Sequence, residues 1–292
     1  MANARQIKQR IKAAGNISKI TKAMEMVSAS KMRRAQAQAL ATRPYTKALS
    51  DSLSTVAAVV NPEAHPLLQP HSEGVDALLV FSTDKGLCGS LNPTLFKHMI
   101  EWYKNRTNAA VIPVGKKAVA FTEFVGLEQY AQFSDLPDTI TVEDILAIST
   151  LIREKFLNKE LRSITVLYMD FVSTLVQKPT LQQLLPVPKS DLTQLNVQTI
   201  ADQPLSTEYQ FEPSPQAILG QLLPYFIENA VFQAMLEAKA SEHSARMVSM
   251  KNASENAKEL RSDLTLAYNK SRQASITNEL LDITTAKLAQ DN

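Results

Sequence analysis

Glycine is scarce, seven in 292 residues, where average usage gives roughly twenty. Each glycine inside a helix costs about 1 kcal/mol relative to alanine. The shortage therefore suits long helices and argues against a loop-rich binding protein. A single cysteine, Cys88, excludes an intramolecular disulfide and leaves no thiolate cluster for zinc, which fits a reducing compartment. Aromatic residues are sparse at 6%. No apolar run approaches the ~18 residues of a membrane span. The opening MANARQIKQR has no hydrophobic stretch for export and continues as a basic helix, so it reads as mature sequence.

What is present is unevenly placed. Hydrophobic residues make up 45% of the chain, enough for one sizeable core or two modest ones. Net charge is only +2, yet residues 1–47 hold eleven basic residues against one acid, Glu25. A basic end of this kind suits an acidic partner: nucleic acid, anionic lipid or an acidic protein surface. Prolines cluster at Pro62, Pro66 and Pro70, and again from Pro179 to Pro215, dividing the chain into an N-terminal segment, a middle and a C-terminal segment.

Residues 225–292 contain neither proline nor glycine. As one helix they would extend roughly 100 Å at about 1.5 Å per residue. An apolar seam can be counted through Met250, Ala253, Ala257, Leu260, Leu264 and Ala267, continuing to Ser271 and Ala274 in alternating steps of three and four. The strong apolar residues then move to Ile276, Leu280 and Ile283, so the seam slips. The N-terminal segment has the same pattern at Ala13, Ile17, Ile20, Met24 and Val27, with Lys31 and Arg34 continuing the register as charges. Met24, Met26 and Met32 read as packing residues. Two heptad segments at opposite ends of one chain most simply pair antiparallel with each other.

The middle alternates short apolar runs with helical stretches. Val75–Phe81, Ala109–Val114 and Ser163–Met169 read as strands, and helices are expected near 92–105, 116–125 and 141–158. That alternation predicts a small, mostly parallel sheet with an edge strand near Thr180–Val187. The expected fold is α/β: a long antiparallel coiled coil of N- and C-terminal helices around a central Rossmann-like domain. The expected divisions are 1–60 (N-terminal coiled-coil helix), 74–190 (central α/β domain), 191–215 (linker) and 216–292 (C-terminal coiled-coil helix).

Candidate chemistry is thin. Ser82–Ser90 (STDKGLCGS) follows the first strand, but it matches neither a P-loop nor a dinucleotide fingerprint. A tight turn packing a helix on a sheet outweighs a phosphate cradle; a third reading is a protein-contact loop presenting Asp84 and Lys85. The histidines His65, His71, His98 and His243 are scattered and form no recognisable pair with Cys88 or a metal motif. No catalytic residue, cofactor site or metal site is expected. The basic N-terminal helix could meet DNA phosphates, but its apolar seam must face another helix, and contact with an acidic protein surface is favoured.

Three stretches carry a resemblance: Ile20–Gln36 (ITKAMEMVSASKMRRAQ), Ser82–Asn92 (STDKGLCGSLN), and the region from SEHSARMVSMKNAS to YNKSRQASITNELLDI, Ser241–Ile283. Each resembles the gamma-subunit family of bacterial and mitochondrial ATP synthases. Together with the helix–α/β–helix order, the similarity covers nearly the whole chain. It implies a non-catalytic central rotor shaft whose coiled coil sits inside a ring of three alpha and three beta subunits. Its foot would rest on the epsilon subunit and the membrane c-ring, and proton flow through that ring would turn it and so be coupled to ATP synthesis in the beta subunits. With no transit peptide, the resemblance implies a bacterial enzyme on the cytoplasmic face of the inner membrane, the chain itself being peripheral.

The resemblance also implies where the ring touches. Lys22, Met24, Lys31, Arg33 and Arg34 lie on the N-terminal motif, and Arg272 and Gln273 match the family's catch with a beta-subunit loop. Lys85 stands where the family usually has Arg; it keeps the charge and loses the planar fork. Two rival readings use the same residues differently: an enzyme built on the central domain with a helical dimerisation arm, and a nucleic-acid or scaffold protein using the basic coiled coil.

Overall fold

A computed structural model of the chain describes residues 4–60, 65–188 and 211–290. Its elements are α1 (Ala4–Val59), a 3-10 turn (Pro66–Leu68), β1 (Val75–Phe81), α2 (Leu91–Lys104), β2 (Ala109–Val114), α3 (Lys116–Val125), α4 (Val142–Leu157), β3 (Leu161–Phe171), β4 (Gln177–Leu185) and α5 (Pro215–Gln290). Most of the expected linker, 191–215, lies outside the described residues. The chain forms two compact units, one of residues 1–28 with 246–292 and the other of residues 29–245.

In the larger unit the strands form a sheet in the order β2-β1-β3-β4. β1 is parallel to β2 and β3, while β3 and β4 are antiparallel. The first three strands carry the continuous apolar runs typical of a sheet covered on both faces. Side chains alternate across the sheet. Leu78, Val80, Val111, Leu167 and Met169 point to the face covered by α2 and α3. Ala77, Leu79, Phe81, Ile112, Ile164 and Val166 point to the other, covered by α4 and the parts of α1 and α5 in this unit. The outer edge of β2 is occupied by 128–133, through bonds such as Val111 N to Glu128 O (2.8 Å), which shields an edge that could otherwise pair with another chain. β4 carries Pro179, tolerated at an edge.

The helix α1 packs on a heptad repeat. In the larger unit its covered positions are Met32, Ala35, Ala39, Thr42, Thr46, Leu49, Leu53, Val56 and Val60, the last lying just past its end. Thr42 Oγ1 donates to Gln233 Oε1 of α5 at 3.0 Å, and Asn229 Nδ2 of α5 donates to Thr46 Oγ1 at 3.1 Å, an antiparallel pairing. At 239–244 α5 is buried on every side. There Ser244 Oγ donates to Thr174 O at 2.8 Å, and His243 Nε2 lies 3.8 Å from Asp138.

In the smaller unit the covered positions of α1 continue the repeat through Ala14, Ser18, Thr21, Glu25 and Ser28, facing Met250, Ser254 and Ala257 of α5. Here the expected seam is corrected by one residue. Ile17, Ile20 and Val27 are 51%, 60% and 55% exposed, and Met26 is also exposed, so it is not a packing residue. On α5 the expected seam residues Met250 and Ala257 are buried, but Leu260, Ala267 and Ala274 face solvent. Counting large aliphatics selected the wrong face, because the close approach is made by small side chains. Ser18 Oγ and Ser254 Oγ are 3.4 Å apart, and Thr21 Oγ1 returns its proton to Ile17 O at 2.9 Å. These bonds satisfy hydroxyls that would cost about 1–3 kcal/mol each if buried alone.

Candidate functional site

In the loop after β1 the side chains of Ser82, Thr83 and Asp84 are committed to internal structure. Ser82 Oγ accepts from Ala118 N (2.9 Å), and Asp84 Oδ1 accepts from Lys116 N (2.9 Å). The first turn of α3 therefore already holds a hydroxyl and a carboxylate on its orphan N–H groups. An anion at the start of α3 would need those same donors. Thr83 Oγ1 donates to Lys85 O (2.8 Å) and accepts from Asn92 Nδ2 (2.7 Å), tying the loop to α2. Gly115, at φ +98°, lets the strand end pass the loop; a Cβ there would lie 2.6 Å from Ser82 O. Cys88 is buried behind this turn, while Lys85 and Leu87 are exposed at its tip, Leu87 with φ 64°. The tight-turn reading describes the loop, and Asp84 serves as a cap.

The histidines hold separate local roles. His65 Nδ1 accepts from Leu67 N at 3.3 Å, and burial pushes its imidazole below the ordinary value. His71 packs its ring 4.4 Å from that of Phe156, and His98 lies 3.4 Å from Glu101. Among the described residues no group of three His, Cys, Asp or Glu side chains could hold a metal ion. The buried acid Asp76, at the start of β1, is held by Arg162 and by Ser163 Oγ at 2.5 Å, with Arg106 at 3.9 Å. Burial alone would raise its carboxyl, but the bonds from Arg162 and Ser163 outweigh that and keep it below the ordinary carboxylate value. Arg106 also covers the Trp102 ring at 3.9 Å. This cluster fastens three strand ends and reaches no cleft chemistry.

The residues singled out for partner contact fall on both units. In the larger unit Arg33 and Arg34 are exposed. Lys31 is half-buried and donates to Asp138 Oδ2 at 2.5 Å. That bond, with help from the charges of Lys31, His243 and Lys239, outweighs the opposing effect of burial and holds the Asp138 carboxyl below its usual value. Asp138 was not recognised in the sequence, being 107 residues from Lys31. In the smaller unit Lys22 is exposed and pairs with Glu25 at 2.9 Å, and Met24 is half-buried. Arg272 and Gln273 are exposed, and from 272 to 287 every residue of α5 is. Ser18 lies against Ser254, so Arg272 sits about 27 Å further along α5. The unit thus offers two separate bands. The first includes an apolar stripe, Ile17, Ile20 and Val27, that hydropathy counting assigned to the seam. The second adds Ile276, Leu280 and Ile283 beside Arg272.

No described helix is long and apolar enough to cross a membrane. A family model described as ATP synthase matches residues 3–289. The chain is 42% identical over 287 residues to the ATP synthase gamma chain of Glaesserella parasuis, covering 97% of this chain and 98% of that one. It is 41% identical over 294 residues to the ATP synthase gamma chain of Akkermansia muciniphila, covering 100% of both. The fold is similar to a chain in the rotor of Euglena gracilis mitochondrial ATP synthase, with TM-score 0.63, 19% identity and coverage of 94% and 98%. It is also similar to a chain in the central stalk and c-ring of Tetrahymena thermophila mitochondrial ATP synthase, with TM-score 0.59, 22% identity and coverage of 80% and 99%.

Proposed function

Since the chain belongs to the ATP synthase gamma-chain family, the central-stalk subunits of that rotary machine, we infer that it acts as a non-catalytic shaft contacting the alpha–beta ring through its two exposed bands. One observation carries this reading: the aliphatic face of α1 in the smaller unit is turned outward while serines, threonine and alanine close the helix pair. A large apolar side chain left in water forgoes about 1.5–3 kcal/mol of burial, which a surrounding ring recovers. The stripe is narrow and interrupted by Lys19 and Lys22, so no single contact becomes a trap for a part that must break and remake its contacts. Lys22, Arg33 and Arg34 add exposed charges that meet acidic loops weakly, about 0–1 kcal/mol each. Met24 flanks the apolar stripe. Lys85 reaches out from the β1 loop. Lys31 contributes through its pairing with Asp138.

ATP chemistry belongs to the beta subunits. The epsilon subunit and the c-ring are the partners at the shaft's foot, and the chain works peripherally at the cytoplasmic face of a bacterial inner membrane. Arg272 and Gln273, exposed among Ile276 and Leu280, are the catch on a beta-subunit loop.

Reconstitution with purified alpha and beta subunits tests the reading. ATP hydrolysis should rise strongly when the chain is added, and Arg272→Ala with Gln273→Ala should weaken that rise while leaving the free chain's stability within about 0.5 kcal/mol. Absence of any complex, with unchanged alpha–beta activity, would overturn the shaft role.

A further inference from the structure

The connection from α3 to α4 is pinned to α1. Its first part, 128–133, follows the edge of β2. Its second part, 134–140, leaves the sheet and is fastened along its length. Lys116 Nζ lies 2.6 Å from Asp135 Oδ1. Leu136 packs against the core, and Ile140 is wholly buried in it. Gln38 Nε2 of α1 donates to Ile140 O at 2.5 Å. Asp138 therefore stands between two anchored neighbours, and Pro137 just before it has a fixed backbone angle.

The Asp138 carboxylate brackets two helices. Its Oδ2 accepts from Lys31 Nζ of α1 at 2.5 Å, and its Oδ1 lies 3.8 Å from His243 Nε2 of α5. The His243 side chain is only 3% exposed, so the α5 side of this bracket is held in place by packing. At neutral pH the carboxyl is ionised, since the Lys31 bond keeps it below its usual value against the effect of burial. Lys31 and Gln38, one heptad apart on α1, are thus both tied to the same short stretch of chain.

These pins act where the packing of α1 gives least direction. Beside Lys31 and Gln38 the covered residues include Ala35 and Ala39. Alanines permit close approach but have little bulk to resist rotation of a helix about its own axis. Polar contacts at a few positions are the best-attested means of fixing register in such a pair. Arg33 and Arg34 follow Lys31 about 200° and 300° further round the helix, and both are exposed. A carboxylate on a ring subunit would have to compete with Asp138 for Lys31, but not for these two arginines. We propose that Asp138 is a positioning residue for ring contact: by bracketing Lys31 and His243 it commits Lys31 to the chain itself and sets the rotation at which Arg33 and Arg34 are presented. This rests on the shaft role and assigns Lys31 an indirect part in it.

Purified alpha and beta subunits, titrated with the full chain, give the chain concentration for half-maximal stimulation of ATP hydrolysis. Asp138→Asn should raise that concentration by about two- to fivefold, the range of a partly exposed ion pair. Lys31→Met should raise it by a similar factor, and the double variant by no more than either alone. Asp138→Glu, which keeps the charge, should stay within about twofold of the parent. Hydrogen exchange of the free chain should quicken around Arg33 and Arg34 in both single variants. Parent-like stimulation by Asp138→Asn alongside an impaired Lys31→Met overturns the proposal, because Lys31 would then meet the ring directly. Additive losses overturn it as well. A parent chain that neither binds nor stimulates removes the shaft role instead, so the two failures are told apart by the parent alone. Should Asp138→Asn fold poorly, Lys31→Met decides by exchange: quickening around Arg33 and Arg34 supports the bracket, and parent-like exchange overturns it.

Discussion

Exchanging polarity at two neighbouring positions of α1 tests the one-residue offset of the seam. Ile20 is 60% exposed and Ser18 is 9% exposed against Ser254. Burying an isoleucine completely is worth about 1.5–3 kcal/mol, and Ile20 realises less than half of that within the chain. Ile20→Ser should therefore cost the free chain about 1 kcal/mol or less. Were Ile20 in the seam, as its hydrophobicity suggests, truncation would cost about 2–5 kcal/mol. Ser18→Leu adds bulk where two hydroxyl oxygens stand 3.4 Å apart, and overpacking of this kind costs about 1–3 kcal/mol. Hydrogen exchange at the amides around Ser254 reports opening of this pair locally, so unfolding of the larger unit does not mask the difference. The assembled complex should invert the ranking, because Ile20→Ser removes an outward contact while the seam stays closed. A loss above about 2 kcal/mol for Ile20→Ser together with a gain for Ser18→Leu would refute the assignment.

Gly115→Ala should destabilise the larger unit by more than about 2 kcal/mol, since a Cβ meets the Ser82 carbonyl at 2.6 Å in a conformation that alanine avoids; urea unfolding measures it, and a change under 0.5 kcal/mol would contradict the geometry. Asp76 should make stability fall in acid. Its folded value is depressed, so its contribution is present above the ordinary value of 3.8 and disappears as pH falls through the folded value. An acid titration of unfolding should be flatter in Asp76→Asn, and identical slopes in the two proteins would remove the Arg162–Asp76 pair from the account.

The strands and helices of the central domain were legible because their apolar runs are continuous and short. Val75–Phe81 and Ala109–Val114 occur with the expected bounds, and α3 spans the expected 116–125. The edge strand was expected three residues late, since Gln177 and Lys178 give no apolar signal. The seam was misjudged for a different reason. Periodicity gave the right repeat, but Ile17 and Ile20 outweigh Ser18 and Thr21 on any hydropathy scale, and only the partner helix reveals which face closes. Pairings such as Lys31 with Asp138, or Thr42 with Gln233, join residues far apart in sequence with no shared motif. The capping role of Asp84 was also hidden, because the helix it caps begins 32 residues later.

The contact of Ser18 with Ser254 spans 236 positions of the chain. A ribosome adding about 5–20 residues per second takes roughly 12–50 s to cover that interval. For most of that interval residues 14–28 of the first helix have no partner stretch of α5 to close on, and their isoleucines and hydroxyl seam both face water. Most of a helix's stability comes from packing on a partner, so the stretch around Ser18 is held firmly only once its partner stretch of α5 has been made. Residues around Ser254 then complete a structure that those around Ser18 began.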